Sequence, residues 1–171
     1  MKNIVLTGFM GSGKTTLGRS LAEAYSRTFV DIDAYIEREQ KKSICEIFSE
    51  EGEDSFRAYE RNAIRLVSKK SGLIIALGGG AISEHNVRLL KENGIILFLH
   101  ITPETAYERL KADDSRPLLS GGAKLSKICR ILAHRQTQYE KCADLMLDVS
   151  SHSKEELLIQ ALKLLEPYFQ I

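Results

Sequence analysis

Apolar residues gather in five short, nearly unbroken runs: Asn3–Thr7, Thr28–Ile32, Leu73–Leu77, Ile95–Ile101 and Leu145–Val149. Runs of that length without polar alternation predict strands covered on both faces, the habit of a parallel sheet. Between them apolar positions recur at helical spacing, as in Leu17–Ala24, Ala34–Gln40, Ile128–Glu140 and the amphipathic stretch Lys154–Leu165. Strand and helix alternate, so the connections are βαβ units. The fold class is therefore α/β, a five-stranded parallel sheet flanked by helices in three layers. Helix starts are signposted. Ser43-Ile44-Cys45-Glu46 and Ser153-Lys154-Glu155-Glu156 are capping boxes, Ser83 is a cap, and Thr102-Pro103 is an N-cap followed by proline at the first helical position. Residues 43–71 form a helical excursion before the third strand. No internal repeat, low-complexity segment or linker interrupts the chain, so residues 1–171 are expected to form a single domain.

Composition narrows the function classes. With 24 basic and 23 acidic residues the formal charge is +1. That leaves no electrostatic footprint for nucleic acid or an anionic membrane. The run Ile95–Leu99 is far too short to cross a bilayer. A strand begins within three residues of Met1, so no signal peptide is expected. Cys45, Cys129 and Cys142 lack metal-type spacing and are expected as reduced, partly buried thiols. His85, His100, His134 and His152 form no ligand pattern. A cytoplasmic monomer without a protein-only metal site is expected.

The chemistry concentrates in Gly8-Phe9-Met10-Gly11-Ser12-Gly13-Lys14-Thr15-Thr16, between the first strand and the first helix. The pattern G-x-x-x-x-G-K-[ST] in that context is a phosphate-binding P-loop. Its backbone N–H groups converge on phosphate oxygens at the positive end of the helix. Lys14 suits the β- and γ-phosphates, and the Thr15 hydroxyl suits Mg²⁺. A P-loop alone leaves hydrolysis, transfer and simple binding open.

Other segments bear on that choice. The second strand ends in Asp31-Ile32-Asp33. Two carboxylates two residues apart on a strand end point the same way, toward the P-loop. Asp31 is placed to hold Mg²⁺ through water, and Asp33 to bond an acceptor hydroxyl or take its proton; the competing reading is that one of them caps the helix Ala34–Gln40. Arg57 has Glu53 at i−4 and Glu60 at i+3, and spacing alone favours ordinary surface ion pairs. The third strand runs into Gly78-Gly79-Gly80, where a usual Walker B strand would end in aspartate. Metal support then falls to Thr15 and Asp31, and the glycines let a small ligand approach the backbone. Residues 112–124 read as a mobile lid, whose Arg116 suits charge on a transferring phosphoryl group. Arg135 faces the site or solvent, and spacing does not decide.

This ordered set resembles shikimate kinase, from Gly8 to about Tyr139. It comprises the P-loop, Asp31 and Asp33 before Ile36-Glu37, Phe56-Arg57 with Glu60, Gly78-Gly79-Gly80, Arg116-Pro117-Leu118-Leu119, and Arg135 followed by Tyr139. The resemblance implies a P-loop kinase fold like that of the nucleoside monophosphate kinases. It implies transfer of the ATP γ-phosphoryl group to the 3-hydroxyl of shikimate, on the route to chorismate. The shikimate pocket would comprise Asp33, Arg57, Gly78, Gly79, Gly80 and Arg135, with residues about 33–61 as its helical region. Gly11, Ser12, Gly13, Lys14, Thr15 and Thr16 would hold ATP, with Arg109 against adenine and Arg116 reaching the phosphates from the lid. Lys14, Asp33 and Arg116 are the expected catalytic group, and Mg²⁺ the expected ion. One departure stands out: the loop Ser150-Ser151-His152-Ser153 lacks the arginine that family members often carry there. The competing readings are another small-molecule kinase of this fold, such as a gluconate kinase, and a nucleotide-binding module without catalysis. A regulatory GTPase would need an Asn-Lys-x-Asp motif, which is absent.

Overall fold

The structure is a computed structural model and describes residues 1–113, 117–119 and 122–169. Five parallel strands form one sheet in the order β2-β3-β1-β4-β5. They are β1 (Asn3–Gly8), β2 (Thr28–Asp31), β3 (Leu73–Ala76), β4 (Gly94–His100) and β5 (Leu145–Asp148). Every residue of β1 and β3 is buried, as their unbroken apolar runs require, whereas the edge strands β2 and β5 are only partly covered. The register sets Ile4 beside both Ile74 and Ile95, and Leu6 beside both Ala76 and Leu97.

Eight helices connect and cover the strands among the described residues: α1 (Lys14–Ala24), α2 (Ile32–Gln40), α3 (Ile44–Glu50), α4 (Gly52–Ser68), α5 (Glu84–Glu92), α6 (Pro103–Leu110), α7 (Lys124–Cys142) and α8 (Lys154–Leu165). The expected caps are present. Ser43 and Ser153 each close a full capping box, Ser83 accepts from Asn86 N–H, and Thr102 accepts from Thr105 N–H ahead of Pro103. Helix α1 lies so close to β2 that a Cβ on Gly18 would stand 2.4 Å from the Phe29 ring. The excursion before β3 is two helices rather than one. Gly52, with φ +83°, turns the chain between α3 and α4.

Two expectations shift. Strand β2 stops at Asp31 and α2 starts at Ile32, so Asp33 lies in the first helical turn and not on a strand end. Of the three cysteines, Cys142 is buried but Cys45 and Cys129 lie at the surface. No helix among the described residues is long and apolar enough to cross a membrane.

Because β1 and β3 are neighbours, the loops leaving their carboxyl ends lie side by side, the place where open parallel sheets take ligands. Leu77 N–H, just past β3, donates to Leu6 O at 3.0 Å and joins the two strand exits.

Candidate active site

The P-loop follows β1 and ends at Gly13, whose left-handed φ of +86° makes it the N-cap of α1. A glycine cap has no side chain to satisfy the first N–H groups, and the first turn holds no acidic residue. Those donors are left for an anion at the positive helix end. Lys14 Nζ donates to the carbonyls of Gly8 and Phe9, each at 2.9 Å, and so lies along the loop. Thr15 Oγ1 donates to Asp31 Oδ2 at 2.8 Å. The other Asp31 oxygen accepts from the N–H groups of Asp33 and Ala34. Asp31 is thus the helix cap and Thr15's partner at once, which corrects the strand-end picture of two parallel carboxylates.

A cavity of about 780 Å³ opens over this loop. Gly11 to Thr16 line it, with Asp31 and Asp33 at one end and Arg109, Val149, His152, Lys154 and Leu157 at the other. Arg109 bridges the loop after β1 and the loop after β5, donating to Gly11 O at 3.0 Å and Val149 O at 2.7 Å. Where the sequence departs from the family pattern, His152 and Lys154 line the cavity instead.

A smaller recess continues from the large one: Met10, Asp33, Ile44, Gly78 and Gly79 line both. Its charged wall is Asp33, Arg57, Glu60 and Arg135, and its apolar wall includes Phe48, Phe56 and Leu118. The three glycines do not have left-handed backbones. At Gly78 and Gly80 side chains pass where a Cβ would stand, whereas a Cβ on Gly79 would meet nothing nearer than 3.5 Å. A Cβ on Gly78 would stand 2.8 Å from Asp33 Oδ1, and one on Gly80 2.6 Å from Arg57 Nη2.

Arg57 makes the ion pairs its spacing suggests, but they are not ordinary surface pairs: Glu60 is buried, the Arg57 side chain is only 20% exposed, and it lines the recess. Its Nε and Nη2 donate to Glu53, and its Nη1 to both Glu60 oxygens. Glu60 is 2% exposed, and burial pushes its carboxyl above the usual glutamate range against the pull of Arg57, with Asp33 adding to the rise. The charge of Glu60 in turn helps hold Arg57 above its ordinary value despite burial of the guanidinium. Arg135 faces the recess, as the resemblance implied, and donates to Gly79 O at 3.0 Å. The Tyr139 hydroxyl donates to the same carbonyl. Tyr139 is fully buried and stacks on Phe98, and burial pushes its phenol up to about 12.

The structure therefore gathers Gly11, Ser12, Gly13, Lys14, Thr15, Thr16, Asp31, Asp33, Arg57, Gly78, Gly79, Gly80, Arg109 and Arg135 around one continuous space. Arg116, with residues 114, 115, 120 and 121 of the expected lid, lies outside the described residues. The sequence reading assigned no role to Met10, Phe48 or Leu118. Met10 and Leu118 fall at variable or unassigned positions of motifs already quoted, and Phe48 is one apolar residue among many. It also left Tyr139 as a motif letter without a task.

Comparison with known proteins agrees with this geometry. A family model described as shikimate kinase matches residues 10–166. A shikimate kinase of Caldicellulosiruptor saccharolyticus is 49% identical over 143 residues, covering 83% of each chain. A solved structure of shikimate kinase from Acinetobacter baumannii in complex with shikimate superposes with a TM-score of 0.94 at 35% identity, covering 99% of this chain and 96% of that one. A gluconokinase from Sinorhizobium meliloti 1021 shares the fold alone, with a TM-score of 0.59 at 18% identity, covering 97% and 92%.

Proposed function

The chain belongs to the shikimate kinase family and phosphorylates shikimate with ATP; we propose that it does so at the 3-hydroxyl, with the residues gathered above in two adjoining half-sites. The observation that carries this assignment is the convergence of Asp33, Arg57 and Arg135 on Gly78–Gly80, directly beside the P-loop. Two guanidiniums suit a ring carboxylate, since each offers a fork of donors. Asp33 orients the ring hydroxyl that receives the phosphoryl group and accepts from it. The N-terminus of α1 and the loop N–H groups hold the ATP phosphates. Lys14 exchanges the carbonyls of Gly8 and Phe9 for phosphate oxygens. Arg109 flanks the adenine, with His152 and Lys154 at the same end, and Arg116 reaches the phosphates from the lid.

Mg²⁺ fits the donor set. Thr15 Oγ1 and Asp31 Oδ2 are hard oxygen donors 2.8 Å apart at the head of the P-loop. Among the described residues no three His, Cys, Asp or Glu side chains form a cluster that could hold a metal. Thr15 would hold the ion directly and Asp31 through water, with the ATP phosphates as further ligands. When bound, the ion neutralises charge on the phosphates. The protein's own part is positioning and charge stabilisation, with water kept from competing as acceptor. We further propose that residues 1–171 act as a single domain, as a cytoplasmic monomer with neither nucleic acid nor membrane as partner.

The test is direct. Protein, Mg-ATP and shikimate are mixed, and ADP and shikimate 3-phosphate are followed. Arg57→Ala is expected to weaken shikimate binding with ATP binding kept, and Lys14→Ala to do the reverse. Absence of shikimate-dependent ADP release at millimolar substrate overturns the assignment. Equal loss of both substrates in each folded variant overturns the site map.

A further inference from the structure

We infer that Glu53 is an internal ligand of Arg57 that the acceptor's carboxylate displaces on binding, and so sets the affinity for shikimate. The inference rests on the reading that Arg57 receives that carboxylate. Every nitrogen of the Arg57 guanidinium already has a carboxylate partner. Glu53 Oε1 takes Nε at 3.2 Å and Nη2 at 3.0 Å, and both oxygens of Glu60 take Nη1 at 3.1 and 3.0 Å. Nε and Nη2 form one edge of the fork, the edge a second carboxylate matches in plane. An incoming acid therefore competes with one of the two glutamates.

Exposure decides which one yields. The Glu60 side chain is 2% exposed, and leaving Arg57 would strand it in the interior. The Glu53 side chain is 51% exposed on the first turn of α4, and water replaces Arg57 there at little cost. Glu53 also lies outside the lining of the recess, so it can swing into solvent without crossing the acceptor. Charge points the same way. The charged lining, Asp33 and Glu60 against Arg57 and Arg135, balances, and Glu53, outside the lining but paired to Arg57, adds a negative charge beside it that opposes an anionic substrate and that its loss removes.

The test compares wild type, Glu53→Gln, Glu53→Ala and Asp54→Asn in shikimate titrations at fixed Mg-ATP, with folding checked by thermal denaturation. Asp54→Asn removes the same charge from the neighbouring exposed position and controls for the general field. The expected result for both Glu53 variants is a KM for shikimate lowered about two- to five-fold, the range of an exposed ion pair. Their kcat and KM for ATP stay at the wild-type values, Asp54→Asn shows less than half of the change, and the gain vanishes with the uncharged methyl ester of shikimate as acceptor. A KM that is unchanged, equal to that of Asp54→Asn, or raised, with wild type active on shikimate, overturns the role of Glu53 and leaves the shikimate assignment standing. A wild type inactive on shikimate overturns the assignment itself, and Glu53's role with it.

Discussion

The Asp33 carboxylate lies directly over Gly78, with Oδ1 only 2.8 Å from where a Cβ on that residue would sit. Glu60 Oε1 is 3.2 Å from the same point. Gly78→Ala therefore displaces Asp33, because backbone and buried Glu60 leave the new methyl nowhere else to go. If Asp33 orients the acceptor as proposed, a displacement of ~1 Å there costs on the order of 100-fold in kcat/KM for shikimate. The nucleotide side does not depend on this contact, so ATP affinity should stay within about two-fold. Steady-state kinetics with a separate nucleotide titration checks both. A kcat/KM within two-fold of wild type would show that Asp33 is not held by this glycine.

Asp31 carries two tasks that substitution separates. As N-cap it accepts from Asp33 N–H and Ala34 N–H, and its other oxygen accepts from Thr15, where the Mg²⁺ site is proposed. Asparagine caps helices about as well as aspartate, whereas alanine loses roughly 1 kcal/mol. Asp31→Asn is expected to keep its unfolding midpoint, and Asp31→Ala to fall by about 1 kcal/mol in urea denaturation. Both should need several-fold more Mg²⁺ for half-maximal rate. An Asp31→Asn enzyme with a wild-type Mg²⁺ requirement would confine Asp31 to capping.

Much of this architecture is legible in the chain because its signals are local. Continuous apolar runs located all five strands to within a residue or two, and capping pairs such as Ser43/Glu46 and Ser153/Glu156 placed helix starts. The P-loop announces itself through glycines at fixed offsets. What stayed hidden depends on contacts between distant segments. Asp31 and Asp33 have the same spacing on a strand end as across a helix start, and periodicity cannot say where β2 stops. Arg57 shows an ordinary i−4, i+3 ion-pair pattern, and only the packing of α4 beside Gly80 turns it toward the recess. The triple glycine was legible as close approach, but the groups that approach are the protein's own Asp33 and Arg57. Phe48 and Leu118 are 70 residues apart in sequence and meet only in the fold.

Glu60 imposes a pH signature on stability. Burial raises its carboxyl above the ordinary glutamate value of 4.5. The folded protein then binds this proton more tightly than the unfolded chain. Stability from this group is fully present below the ordinary value and is lost as pH rises through the raised one. The difference in stability between wild type and Glu60→Gln is therefore expected to fall as pH climbs from about 4 toward neutrality. Other carboxylates, such as Asp148 with its lowered value, act oppositely but cancel in the difference. Denaturant midpoints across that range give the slope, and a difference that rises with pH would mean that the pull of Arg57 outweighs burial.

Tyr139 and Arg135, one turn apart on α7, share a single acceptor, the carbonyl of Gly79. The phenol, pushed up to about 12, stays a donor throughout any working pH, so the contact itself adds no pH dependence near neutrality. Tyr139→Phe keeps the ring on Phe98, whose centroid is 5.1 Å away, and removes only the hydroxyl. Because Arg135 still satisfies the carbonyl, the loss should be about 0.5–1.5 kcal/mol of stability, the net worth of one hydrogen bond. Arg135→Ala alone leaves the carbonyl with Tyr139. In the double variant Tyr139→Phe/Arg135→Ala the carbonyl loses both donors. An unsatisfied acceptor costs more than a replaced one, so the double variant should exceed the sum of the singles by about 1 kcal/mol or more. Simple additivity in urea denaturation would mean that water or another donor reaches Gly79 O, and that Tyr139 does not position this segment.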